Sequence, residues 1–290
     1  MLYLVGTPIG NLGDMTIRAL ETLKSVDFIC AEDTRVTAGL LAHFGIKKPL
    51  VSYYEHNKLE RGPKIIERLK KGENGALVTD AGMPGISDPG EHIVKLCIEA
   101  GEPYSVIPGP CAFVTGAVMS GISTSAILFL GFIPENKKQA VAVLERISKA
   151  EETVCLYESP YNIEKTLMNL ASYAEGRQIA LCREITKIHE EVIRGTAPEL
   201  LEYLEEYPPR GEYVVVIEGG SPAKKEGENA ARGDLLRAGD RPSVEEFRSK
   251  VQEAIAGGMK RNEAVKTVGS SYGLSRSEAY DIYGKGEAGV

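Results

Sequence analysis

The chain reads as an α/β protein of two domains followed by a small C-terminal helical bundle. Three observations carry this. From Met1 to Val114 short apolar runs alternate with amphipathic stretches, the rhythm of a mostly parallel sheet with helices on its faces. From residue 115 to 220 the strands crowd together, and their spacing around Thr186 to Glu190 suggests a hairpin and so a mixed sheet. A polar, Gly- and charge-rich stretch then precedes three short helical segments. The expected organisation is residues 1–114, residues 115–220, a linker at 221–240, and a helix-turn-helix-like unit at 241–285.

In order, strands are expected at Leu2–Val5, Phe28–Ala31, Leu50–Tyr53, Ala76–Val78 and Tyr104–Ile107. Helices fall between them, at Thr16–Ser25 with Ile17, Leu20 and Leu23 on one stripe, at Thr37–Phe44, at Lys64–Lys70, and from Pro89 to Ala100. Gly45, Gly72 and Gly101 stop the last three. Asp88, Pro89 and Glu91 have the spacing of a capping box. A small-residue helix covers Ala112–Met119. The second half adds strands at Ile127–Phe132, Thr153–Tyr157, Ile179–Cys182, Glu191–Arg194 and Tyr213–Ile217, with helices at Gln139–Ser148, Ile163–Tyr173 and Pro198–Glu205. In the tail, helices are expected over 243–255, 260–271 and 275–283, broken at Gly257-Gly258 and Gly273.

Composition excludes several classes. A net charge of −7 gives no support to duplex binding by phosphate neutralisation. Residues 241–290 are near neutral in an otherwise acidic chain, which fits an RNA-contacting tail and a packing appendage equally. No apolar run approaches a membrane span, and the start lacks a signal-peptide pattern, so a cytoplasmic protein is expected. The five cysteines form no CxxC and the four histidines no helical metal pair, so no metal is expected.

The organising stretch is Gly75 to Glu91, a strand running into a long Gly/Pro loop and then a helix. Such loops at the carboxyl ends of parallel strands contact ligands. The loop at 6–13 is glycine-rich too, yet it is neither GxGxxG nor a P-loop, and no GxSxG is present. Loops 6–13, 32–35, 80–88 and 108–111 together suit a bulky organic cofactor held mainly by backbone groups.

The ordered set GTPIGNLGDMT, AEDTR, TDAGMPGISDPG, VIPGPCA, GFIP, YESPYN, REITKIHEE and RGEYVVVIEGG resembles the tetrapyrrole methylase superfamily over Leu2 to Gly220. Within it, the set is most similar to the enzymes that methylate a cytidine 2′-hydroxyl in 16S rRNA of the small ribosomal subunit, and the helical tail is similar to their C-terminal extension. Tyr161 and Asn162 depart from the pair often found after YESP. The resemblance implies a two-domain class III methyltransferase fold, a homodimer, and S-adenosyl-L-methionine in the cleft between the domains. By motif position the donor would touch Pro8, Ile9, Gly82, Met83, Ile86, Cys111, Ala112, Tyr157, Glu212 and Tyr213, with backbone groups around Gly82 holding its carboxylate or ribose end. Cys111 is expected to be a contact and no nucleophile.

A ribose hydroxyl is a poor nucleophile and gains from a base or a charge stabiliser. Candidates are Glu32, Asp33, Arg35, Glu158, Arg183, Glu184, Lys187 and Glu190. Asp33, Arg35, Glu158 and Lys187 lead. Asp33 and Arg35 end a strand beside the first loop and are expected to face the cleft; a structural ion pair fits them equally. Tyr53, Tyr54 and His56 are candidates to stack on RNA bases, and Lys260, Arg261 and Arg276 to meet phosphates. Asp80 and Asp88 read as loop and cap residues.

Overall fold

The structure is a computed structural model describing residues 1–220, 244–257 and 259–272, together with Ala279, Ile282 and Tyr283. Residues 1–220 form one compact unit, and those from 221 on belong to a second.

The first half is built on five strands: β1 (Leu2–Val5), β2 (Phe28–Ala31), β3 (Leu50–Ser52), β4 (Gly75–Val78) and β5 (Tyr104–Ile107). They pair in the order β3-β2-β4-β1-β5, with every neighbour parallel. Strands β1, β2 and β4 are almost wholly buried, which explains their unbroken apolar runs. Helices α1 (Ile17–Ser25), α2 (Thr34–His43), α3 (Lys58–Lys70) and α4 (Gly90–Ala100) connect them. One core gathers Leu23, Ile29 and Val78, and the other gathers Phe28, Ile65 and Ile93.

Four local expectations are corrected. The buried stripe of α1 is Ala19, Thr22 and Leu23, while Ile17 is 77% exposed. Ile17 lies two residues from Ala19, about 200° around the helix, and so points away from the sheet. Helix α3 starts at Lys58 and carries Pro63 inside it, six residues before the expected start at Lys64. Its buried face of Ile65, Ile66 and Leu69 outweighs the one ladder bond that proline removes. The reciprocal capping box at α4 does not form: Glu91 pairs with Lys95, while Asp88 accepts both from Gly90 N–H at the helix start and from Gly85 N–H in its own loop. The strand expected to reach Phe132 ends at Phe129.

The second half carries β6 (Ile127–Phe129), β7 (Thr153–Glu158), β8 (Ile179–Arg183), β9 (Glu191–Gly195) and β10 (Tyr213–Ile217), in the order β6-β7-β10-β8-β9. Only β6 and β7 run parallel; the other three pairings are antiparallel, and β8 and β9 form the expected hairpin. Helices α6 (Lys137–Lys149), α7 (Ile163–Tyr173) and α8 (Ala197–Glu206) cover one face. Helix α5 (Ala112–Ser120) covers the other, with Ala117 packed among Cys155, Cys182, Val214 and Val216. Packing therefore changes sheet at the loop 108–111, and a division at residue 114 falls within α5.

In the tail, α9 (Val244–Ala256) and α10 (Arg261–Ser271) bury Phe247, Val251, Ala264 and Val265 against one another. The linker at 221–240, Ser243, Gly258, Gly273 and Arg276 lie outside the described residues, as does the helix expected over 275–283 apart from the three residues named above. Among the described residues no helix is long and apolar enough to cross a membrane.

Candidate functional site

The carboxyl ends of β1, β2 and β4 open onto a cleft of about 440 Å³, within the range of small-molecule sites. Its first wall is Ile9, Glu32, residues Thr79 to Met83, residues Ile86 to Asp88, Cys111 and Ala112. Its second wall comes from the mixed sheet: Phe132, Tyr157, Glu158, Ser159, Glu184, Ile185, Lys187, Glu212, Tyr213 and Val214.

The loop 80–88 is held at three points. Thr7 and Gly82 exchange two backbone bonds, Thr7 N–H to Gly82 O at 2.9 Å and Gly82 N–H to Thr7 O at 3.1 Å. Gly82 has φ 86°, the left-handed region that side chains resist. The Asp88 carboxylate accepts from the N–H groups of Gly85 (2.8 Å), Ile86 (3.1 Å) and Gly90 (2.7 Å). The Met83 sulfur accepts from Gly109 N–H at 3.1 Å, where Gly6 and Gly109 approach so closely that a Cβ on Gly6 would stand 2.6 Å from that sulfur. This changes the expectation for Gly82. Its N–H is committed to Thr7, so it has none to offer a ligand. The N–H groups of Ala81, Met83, Cys111 and Ala112, all on the cleft wall, donate to no acceptor among the described residues. These are the backbone donors available.

The second wall works through side chains. The Tyr157 hydroxyl accepts from Phe113 N–H at 3.4 Å; burial, and next the Cys111 thiol, push it up to about 12. The Glu158 carboxylate is buried and accepts from Ser159 N–H (2.8 Å) and Thr166 Oγ1 (2.6 Å), which keeps it braced against the wall. Lys187 Nζ donates to Glu184 at 2.8 Å, and that hydrogen bond is the main reason the Glu184 carboxyl sits below its ordinary value. Tyr213 is buried, and its hydroxyl accepts from Arg210 N–H.

Several expected residues stand elsewhere. Asp33 and Arg35 do not line the cleft. Asp33 caps α2, accepting from Arg35 N–H at 2.8 Å, and pairs with the Arg35 guanidinium at 2.6 Å; that hydrogen bond lowers its carboxyl to about 2. Arg35 itself is 89% exposed. The neighbouring Glu32 lines the cleft instead, and burial, followed by the charges of Asp80 and Asp88, holds its carboxyl above its ordinary value. Pro8 is buried and off the wall. Arg183 pairs with Glu191 at 2.6 Å, and Glu190 accepts from Thr186 N–H at 2.7 Å; neither lines the cleft. Tyr53 cannot stack on a base: it is fully buried, with its hydroxyl 2.9 Å from His92 Nδ1. Tyr54 and His56 are exposed and meet edge to face at 6.0 Å. Lys260 and Arg261 are exposed at the start of α10. Among the described residues no cluster of metal-ligating side chains occurs.

The profile of the tetrapyrrole (corrin/porphyrin) methylases matches residues 1–201. The chain belongs to that family. A protein of Streptococcus pyogenes serotype M1 named ribosomal RNA small subunit methyltransferase I is 44% identical over 97% of this chain and 94% of its own length. Proteins of the same name from Bacillus subtilis and Synechocystis are 43% and 39% identical, over 98% and 97% of this chain and 94% and 96% of theirs. The crystal structure of a uroporphyrin-III-C-methyltransferase from Thermus thermophilus superposes with a TM-score of 0.55 at 20% identity, covering 75% of this chain and 93% of that one; this likeness is one of fold.

Phe132, Ile185 and Val214 of this methylase also line the cleft, beyond the residues expected there. Ile185 and Val214 are also buried, and in a sequence they look like any core residue. Phe132 carried a signal, an aromatic set between Gly131 and Ile133-Pro134.

Proposed function

We propose that this protein transfers a methyl group from S-adenosyl-L-methionine to the ribose 2′-hydroxyl of a cytidine in the 16S rRNA of the small ribosomal subunit. The reach of the likeness carries this reading. Relatives named as ribosomal RNA small subunit methyltransferases match 97% of the chain at up to 44% identity, whereas the uroporphyrin-III enzyme of similar fold covers 75% of it at 20%. A cytoplasmic location and a homodimer belong to the same reading.

The cleft suits such a donor. Bound there, it supplies a methyl group on a cationic sulfonium that is already a good leaving group. Glu32, Asp80 and Asp88 favour positive charge on the first wall. The open N–H groups of Ala81, Met83, Cys111 and Ala112 suit carboxylate and hydroxyl oxygens. Ile9, Met83, Ile185 and Val214 offer apolar wall. The bonds of Asp88 and Thr7 keep the loop in one shape, and alignment of reactants is worth up to about 7–11 kcal/mol of barrier.

Glu32 is the proton acceptor in this reading. Glu32 lines the cleft, its carboxylate has no hydrogen bond or ion pair to the described residues, and its surroundings favour taking up a proton. Lys187, braced by Glu184, is placed to offset negative charge on the acceptor oxygen. Glu158 shapes the wall, and Asp33 with Arg35 caps α2.

The test incubates the protein with labelled donor and either unmodified small subunits or a free tetrapyrrole, then maps any labelled nucleotide. Label on a 16S cytidine ribose is expected. Label on the tetrapyrrole alone, or on no RNA, would overturn the reading. Glu32→Gln should lose about 100-fold or more in methylation rate, far more than the loss of donor affinity from removing one of three wall carboxylates; an unchanged rate would remove Glu32 as the base.

A further inference from the structure

We propose that Phe132 is the shelf on which the base of the acceptor nucleotide stacks; this rests on the RNA-methylation reading above. Phe132 lines the cleft and is nevertheless 55% exposed. The other cleft aromatics are withdrawn. Tyr157 is tied to the first turn of α5, and Tyr213 is 2% exposed. Phe113 and Phe129 stack on each other at 4.3 Å, within the cluster that packs α5 on its sheet.

The ring is fixed from both sides. Leu130 N–H donates to Cys155 O at 3.0 Å, and Tyr157 N–H donates to Gly131 O at 2.9 Å, so the segment before Phe132 is laced to β7. Ile133, just after it, packs against the core of the second sheet. Tyr157 backs the ring at 5.5 Å with the planes tilted by 56°. The backbone on both sides of Phe132 is therefore anchored, and its ring lies in the open cleft. Gly131 lies against Ser87, where a Cβ would come 3.1 Å from its Oγ, so the shelf abuts the end of the loop 80–88.

The chemistry of the cleft selects a base over a phosphate. Glu32, Asp80, Asp88, Glu158, Glu184 and Glu212 line it against a single lysine, Lys187, already paired. A phosphodiester finds no unpaired cation on these walls to bind it, whereas a neutral π-system needs none. Position selects the acceptor over the donor. The open backbone N–H groups belong to Ala81, Met83, Cys111 and Ala112, and Tyr157 stands between α5 and Phe132. A nucleotide offering its 2′-hydroxyl for reaction must leave its stacked neighbours, and a protein aromatic replaces the stacking it loses.

The chain contains no tryptophan, so Phe132→Trp makes the shelf its own fluorescent reporter. A single-stranded RNA carrying the cytidine should quench it, and S-adenosylhomocysteine alone should not. Phe132→Leu keeps an apolar side chain without a π-face. It should raise KM for unmodified small subunits on the order of tenfold, the scale of one lost base stack, with donor affinity unchanged; Phe132→Tyr should restore KM. Quenching by S-adenosylhomocysteine alone would assign the ring to the donor and overturn the proposal. So would an RNA-insensitive reporter, or an unaltered KM in Phe132→Leu. Failure of the function itself reads out separately, as absence of methylated RNA with the unsubstituted protein.

Discussion

Two loops that line opposite walls of the cleft use the same backbone conformation with different materials. In the loop 80–88, left-handed φ angles fall on Gly82, Gly85 and Ser87; in the turn 184–190 they fall on Glu184 and Thr186. A non-glycine residue in that region costs about 1–2 kcal/mol. The first loop avoids the cost where a side chain would intrude: a Cβ on Gly82 would stand 3.3 Å from Ile9 Cγ2 and 3.6 Å from Pro110 O. The turn accepts it where the side chain is needed, because the Glu184 carboxylate accepts from Lys187 Nζ at 2.8 Å and from Glu212 N–H at 3.3 Å. At Gly82 the first loop therefore keeps its backbone bare, and at Glu184 the turn carries a charged side chain. Among the described residues every non-glycine with positive φ lies in these two loops, where strain is expected to gather at a working site.

The contrast can be broken most severely at Gly82. Gly82→Leu adds a side chain to the cradle, and donor binding measured by calorimetry should become undetectable while the thermal transition survives. Wild-type affinity would mean that this loop does not hold the donor. Asp88→Ala comes next, since it strips the acceptor from the N–H groups of Gly85, Ile86 and Gly90. Denaturant titration should show a loss of about 2–3 kcal/mol, with weaker donor binding. No loss would show that the loop holds its shape without this carboxylate.

Smaller effects are expected in the turn. Thr186 carries left-handed strain, and its buried hydroxyl has no partner among the described residues. Thr186→Gly should raise stability by up to about 1 kcal/mol, after the entropy that glycine adds to the unfolded chain. A net loss would reveal a role for the hydroxyl. The least effect concerns pH. The Lys187 bond lowers the Glu184 carboxyl in the folded state, so its stabilisation is present above the unfolded value of about 4.3 and fades as pH falls through the folded one. The pair is partly solvated, so the contribution is a few tenths of a kcal/mol. Urea titrations of the protein and Glu184→Gln should differ at pH 7 and converge near pH 3. A constant gap would point to the shape of the side chain.

Much of this was legible in the amino-acid order. Buried parallel strands must be apolar on both faces, so the runs at Leu2, Phe28 and Ala76 announced the first sheet. The hairpin followed from the close spacing of Ile179 and Glu191, and the Gly/Pro loops marked the strand ends where the cleft lies. Tertiary structure alone decided how neighbouring residues divide the work. Glu32 and Asp33 are adjacent acids at the end of one strand, yet Glu32 faces the cleft and Asp33 caps a helix, because the start of α2 sets their directions. Gly82 carried the sequence signal of a ligand loop, but its N–H is spent on Thr7, far away in the chain. Local pattern records what a residue can do. Which partner claims each hydrogen bond depends on segments brought together only by folding.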